Sequence, residues 1–239
     1  LSDLLPSLIP KLAHKALELS HQPQHQLKGS LEVVNEIPAG IGLGFSASLC
    51  VSVARWLQAC GLIKVDDLLD LCTQLEHTFH GTSSGLDVAC VLRQQPLLYQ
   101  QGTCKPFTPQ WQPCFSLTNS QSPAHTHACI DTVKRLQQNN PSQAKELDQA
   151  MHQASQQAFS ALMQPQKTGL ALLQQAIYEA NQCFEQWSLC TPAIKTLQQD
   201  LQEKGALASK PSGAGLGGLV LALWPEPPLQ LPDHTWLVG

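Results

Sequence analysis

Apolar residues recur at helical spacing over most of this chain and alternate with polar ones in a few short runs. Leu4, Leu5, Leu8, Leu12, Leu17 and Leu19 predict an amphipathic helix over residues 2–20, interrupted by Pro6 and Pro10. After a polar stretch, His21 to Gly29, the run Ser30-Leu31-Glu32-Val33-Val34-Asn35-Glu36-Ile37 predicts a strand. A glycine-rich turn leads from it into a helix over 47–60, with Gly61 suited to follow the helix end. Asp66 or Asp67 suits the start of the next helix, which carries Leu68, Leu69, Leu71, Leu75 and Phe79 and ends near Gly81. Residues 88–92 and 97–99 read as short strands with a turn at Gln94-Gln95-Pro96.

Residues 101–113 are irregular and rich in Pro and Gln, and the division between two domains, 1–113 and 114–239, is placed there. A strand over 114–118 opens the second half. Helices over 125–138, 142–163, 168–187 and 192–204 follow, punctuated by Pro141, Pro165 and Pro192. Strands over 206–209 and 219–223 flank another glycine loop, and Pro225, Pro227 and Pro228 predict an extended tail.

Composition narrows the function classes. Of 239 residues, 43% are hydrophobic and 13% charged, which is enough apolar material for a core. The net charge is −4 and no basic cluster offers a groove for nucleic acid. No apolar run is long enough to cross a bilayer, so neither nucleic acid nor membrane is an expected partner. The nine cysteines are odd in number and lack Cys-x-x-Cys spacing, which predicts buried free thiols in a reducing, cytoplasmic setting. His77, His80, His125 and His127 do not predict zinc, which needs three or four converging ligands.

The candidate chemistry lies in three small-residue loops. The first is Pro38-Ala39-Gly40-Ile41-Gly42-Leu43-Gly44-Phe45-Ser46-Ala47-Ser48, where the glycines permit tight turning and the helix start offers backbone N–H groups to a phosphate. The second is His80-Gly81-Thr82-Ser83-Ser84-Gly85-Leu86-Asp87, preceded by Glu76 one helical turn before His80. A carboxylate beside phosphates can hold magnesium or accept a proton from an attacking hydroxyl. Taken alone, Glu76 also reads as a surface helix carboxylate and Asp87 as a cap. The third loop is Lys210-Pro211-Ser212-Gly213-Ala214-Gly215-Leu216-Gly217-Gly218.

In this order the loops resemble the GHMP family of small-molecule kinases. Residues 38–48 resemble its phosphate loop, Pro-x-x-x-Gly-Leu-Gly-Ser-Ser-Ala, and residues 210–218 its third motif, Lys-x-Thr-Gly-Ala-Gly-Gly-Gly-Gly. Glu76, His80, Gly81, Ser84, Gly85 and Asp87 are similar to the mevalonate kinase version of the middle motif, and Leu117 to Ser120 with Thr126 to its substrate-facing segment. The resemblance implies a two-domain α+β fold, with a ribosomal-protein-like N-terminal half and a ferredoxin-like C-terminal half. It implies ATP and Mg²⁺ as cofactors, a small hydroxy acid such as mevalonate as substrate, and allows a homodimer.

Residue by residue, the resemblance implies that Asp87 is the catalytic carboxylate and that Ser46 and Glu76 are magnesium ligands. Gly40, Gly42, Leu43, Gly44, Phe45, Ser46 and Ala47 would cradle phosphate, with Gly213, Ala214, Gly215 and Gly217 closing over the same region. His80, Gly81, Ser84, Gly85 and Thr126 would lie at the substrate.

Several positions depart from the pattern. Phe45 replaces a serine of the phosphate loop and Ser212 a threonine, Pro211 and Leu216 alter the third motif, Val88 stands in place of Asn, and Ala124 in place of Arg. The family's first motif, which brings a lysine to the carboxylate, has no counterpart before residue 30. The chain opens on Leu1, so the expectation is an N-terminally incomplete member, or else a degenerate one. The functions left open are phosphorylation of mevalonate, another reaction of the family including decarboxylation of a phosphorylated mevalonate, and nucleotide binding without turnover.

Overall fold

The structure, a computed structural model, describes residues 5–22, 27, 28, 30–35, 37, 41–80, 83–100, 102–123 and 126–238. The chain divides into two compact units, one holding Leu1–Ala39 and Leu43–Phe107, the other holding Gly40–Gly42 and Thr108–Gly239.

Helices dominate the first unit. α1 (Leu5–Leu19), α2 (Phe45–Ala59) and α3 (Leu68–His80) bury Leu12, Ala16, Leu17, Val51, Ala54, Leu57, Leu71 and Leu75 in one apolar cluster. α1 runs unbroken across Pro10. Pro6 lies in the first turn, where a backbone N–H has no helical partner to lose, and the cost of Pro10 is offset by the buried face that follows it. Asp67 Oδ1 accepts from Leu69 N at 2.9 Å at the start of α3.

Besides the expected interruption at Pro10, three further sequence expectations for this unit are corrected. Among the described residues of the predicted strand over 30–37, none is in a strand: 30–35 and 37 belong to no ladder, and Val34 is 81% exposed. Alternation marks a strand only where a neighbour supplies hydrogen bonds. The predicted strand over 88–92 is instead helical, within α4 (Leu86–Arg93). Gly85, with φ 79°, caps it, and Val88 and Ala89 form its buried face. Residues read as irregular contain β2 (Thr103–Pro106), which pairs antiparallel with β1 (Leu97–Gln100) around Gly102.

The second unit is a four-stranded antiparallel sheet with helices. β3 (Cys114–Asn119), β4 (Ala208–Pro211), β5 (Leu219–Trp224) and β6 (Thr235–Val238) lie in the order β4-β5-β3-β6. β6 corrects the expected extended tail, since Thr118 pairs with Thr235 and their hydroxyls lie 3.0 Å apart. α5 (Thr126–Asn139), α6 (Pro141–Leu162), α7 (Gln166–Gln186) and α8 (Pro192–Glu203) complete the unit. Asn140 and Thr191 cap α6 and α8 through their side chains, each followed by a proline suited to the first turn. Across β3 and β5, the Trp224 indole N–H donates to Ser116 Oγ at 2.9 Å, a buried polar pair satisfied internally.

Candidate functional site

The first unit assembles its polar residues around one buried carboxylate. Gly44 follows the half-buried Leu43, takes left-handed backbone (φ 69°) and starts α2 without a side-chain cap; Gly42, grouped with the second unit, is also left-handed (φ 89°). The first N–H groups of α2 are therefore not used by a capping side chain. Ser46 sits in that first turn and donates from Oγ to Glu76 Oε1 at 3.2 Å. Ala47 beside it is fully buried.

Glu76, on α3, is 3% exposed, which disposes of the surface-carboxylate reading. Its second oxygen accepts a short hydrogen bond from Ser83 Oγ. Two thiols lie among the same helices. Burial pushes Cys72 up to about 12, and burial followed by the nearby Glu76 charge pushes Cys50 higher still. Both thiols therefore stay protonated and unreactive.

Ser83 also accepts from Gly85 N at 3.1 Å, and Ser84 Oγ accepts from Leu86 N at 3.3 Å, so the chain enters α4 on two local turns. The Tyr99 hydroxyl donates to Ser84 O from β1. Gly85 cannot be replaced freely: a Cβ there would lie 3.0 Å from Thr73 Oγ1 and 3.1 Å from Tyr99 Oη. Asp87 follows in the first turn of α4, exposed, with its charge at the favourable end of the helix dipole.

Phe45, the residue that departs from the serine of the resembled loop, packs against the unit's core. It lines a groove of about 470 Å³ with Leu5, Val33, Val34, Ile37 and Leu49. The expected Gly40 and Gly81, the side chain of His80, and Ala124 lie outside the described residues.

The third loop belongs to the second unit and is held by backbone contacts of its own. Gly213 and Gly215 are left-handed (φ 78° and 93°), and Ala214 packs beside Phe184 and Leu189. Leu216 N donates to Leu189 O at 2.7 Å, and Cys129 Sγ donates to Gly215 O at 3.3 Å. A Cβ at Gly217 would lie 2.4 Å from Pro123 O. Lys210, before the loop, donates from Nζ to Pro211 O at 2.9 Å and lies 5.3 Å from the centre of the Phe184 ring. Burial pushes the Lys210 ammonium down to about 8. Thr126 is exposed at the first position of α5.

Among the described residues, no group of three or more His, Cys, Asp and Glu could hold a metal by itself. Magnesium does not need one, since it accepts one or two carboxylates and completes its shell with water and phosphate oxygens. The hard oxygen donors of Glu76 and Ser46, held together at a helix start, fit that cation in kind. Ser83, Thr73 and Tyr99 have no assigned role in the sequence reading. The only signal for Ser83 is a hydroxyl two residues before the helix cap, and Tyr99 lies on a strand whose packing is invisible in one dimension. No helix among the described residues is long and apolar enough to cross a membrane.

Comparison with known proteins gives a consistent result. The GHMP kinases N terminal domain matches residues 9–95, and the GHMP kinases C terminal domain matches residues 136–230. A mevalonate kinase of Pyrococcus horikoshii is 23% identical over 215 residues, covering 88% of this chain and 64% of that protein. This chain therefore spans less than two thirds of that relative's length. The structure of L. major mevalonate kinase in complex with R-mevalonate superposes with a TM-score of 0.76 at 25% identity, covering 94% of this chain and 70% of the other. Streptococcus pneumoniae phosphomevalonate kinase, in complex with phosphomevalonate and AMPPNP, shares the fold with a TM-score of 0.68 at 19% identity, covering 95% and 75% of the two chains.

Proposed function

We propose that this chain, which belongs to the GHMP kinase family, transfers the terminal phosphoryl group of ATP to the hydroxyl of a small metabolite, with mevalonate as the acceptor. The observation that carries the reading is the hydrogen bond from Ser46, in the first turn after the glycine loop, to the buried carboxylate of Glu76. It sets a magnesium-compatible oxygen pair at a helix start suited to phosphate. Mevalonate is favoured over other acceptors by the middle motif and by the relatives of that name.

Phosphoryl transfer asks the protein mainly for positioning and charge stabilisation. Ser46 and Glu76 would hold the metal, which supplies charge neutralisation at the phosphates. The N–H groups at the start of α2 donate to phosphate oxygens. Asp87 accepts the proton of the acceptor hydroxyl as that oxygen attacks.

A second reading, nucleotide binding without transfer, is favoured by Phe45 in place of a hydroxyl residue. The deciding experiment incubates the whole protein with ATP, Mg²⁺ and a panel of hydroxy acids, and follows product by phosphorus NMR and released carbon dioxide. Phosphomevalonate without carbon dioxide is the expected result. Calorimetric ATP binding with no product from any acceptor establishes the second reading and overturns the first.

A further inference from the structure

Glu76 has two oxygens, and the structure spends them on different parts of the chain. Oε1 accepts from Ser46 on α2, and Oε2 accepts from Ser83 in the turn before α4. The Ser83 hydroxyl has one proton, and its oxygen also accepts from Gly85 N, which can only donate. The direction of the chain is therefore fixed: Gly85 N–H to Ser83 Oγ, then Ser83 O–H to Glu76 Oε2. Hydrogen bonds linked in one direction polarise and strengthen each other in a low-dielectric setting.

The same turn is clamped elsewhere. Tyr99 holds Ser84 O, and Thr73 and Tyr99 close on Gly85 where a side chain would stand. Ser83 is thus the point where α3, which bears Glu76, is tied to the helix that bears Asp87 two residues beyond its cap. We infer that Ser83 is a positioning residue: it turns the Glu76 carboxylate so that Oε1 faces Ser46 and the metal, and it fixes the offset between Glu76 and Asp87. This rests on the function proposed above, with Glu76 as a metal ligand.

The test compares Ser83→Thr with Ser83→Val, which share a shape and differ in the hydroxyl, alongside Ser83→Ala. Partners that orient a metal ligand typically change metal affinity or turnover by about 10–100-fold. The expected result is that Ala and Val weaken Mn²⁺ binding in the presence of AMPPNP, read by electron paramagnetic resonance, by about that factor, and that Thr restores it. Affinity for AMPPNP in excess EDTA should be unchanged in all three. Turnover should show a raised Mg²⁺ requirement in Ala and Val, with the KM for acceptor preserved.

If Val binds Mn²⁺ as tightly as Thr, the inference is overturned, even in an enzyme that phosphorylates mevalonate. If the wild-type protein turns nothing over yet Val loses Mn²⁺ affinity relative to Thr, the inference stands and the proposed reaction falls. If metal-free nucleotide affinity falls equally in Ala and Val, Ser83 is only a structural brace and the inference is again overturned.

Discussion

Ser46 and Glu76 are 30 residues apart in the chain, and their side chains meet at 3.2 Å. The contact crosses from the helix that follows the glycine loop to the helix that precedes the second loop, so both loops are referenced to one carboxylate. Because Glu76 is 3% exposed, its charge is compensated by neighbouring hydroxyls and by any cation it recruits.

Replacing Glu76 with Gln keeps the shape and removes the charge. Metal affinity and turnover should each fall by at least about 10-fold, as for loss of a ligand-orienting group or worse. The amide also presents a donor where the native oxygens accept from serines. Manganese titration and steady-state kinetics check the loss, and thermal unfolding confirms that the fold is retained.

Asp87→Asn should spare nucleotide binding and cut kcat by about 10²- to 10⁴-fold, the range for losing a general base. Calorimetry with AMPPNP and product formation with ATP separate the two. Full activity in this variant removes Asp87 from the reaction.

Gly85→Ala should destabilise the first unit by about 1–3 kcal/mol, because the residue needs left-handed backbone and its Cβ would press on Thr73 and Tyr99. Tyr99→Phe in the same background should not recover the loss, because it removes the bond to Ser84 O and leaves the backbone strain in place. Urea unfolding of the single and double variants measures both effects.

Lys210 links stability to pH. Its folded value, about 8, lies below its ordinary value of 10.5, so between those limits the unfolded chain binds more protons. The second unit should gain stability as pH rises through that window, by no more than about 3.5 kcal/mol at about 1.4 per pKa unit. Below pH 8 the burial penalty is fully present. Lys210→Met should flatten this part of the stability profile, read as melting temperature against pH.

Much of the fold is legible in one dimension where a local signal decides it. α6 and α8 begin at a capping residue followed by proline, and such starts depend on neighbours in sequence. The segment over 30–37 fails for the opposite reason. Its alternation is sound, but a ladder is a long-range property that no window of eight residues contains. In α4 the run Val-Ala-Cys-Val-Leu has strand-like composition, and the left-handed Gly85 with Asp87 behind it outweighs that preference.

The site divides in the same way. Glu76 and Ser46 stand out because a motif marks them. Ser83 is chemically ordinary in a polar loop, and only the direction of its hydrogen bonds gives it significance. Thr73 and Tyr99 come into view only through the empty side of Gly85.

The buried bond between Trp224 and Ser116 carries an implication for descent. An indole N–H left there without its acceptor costs about 1–3 kcal/mol, so drift of the serine to an aliphatic residue is disfavoured while the tryptophan stays. Lineages that lose one should lose the other, and the two strands should record a single paired substitution.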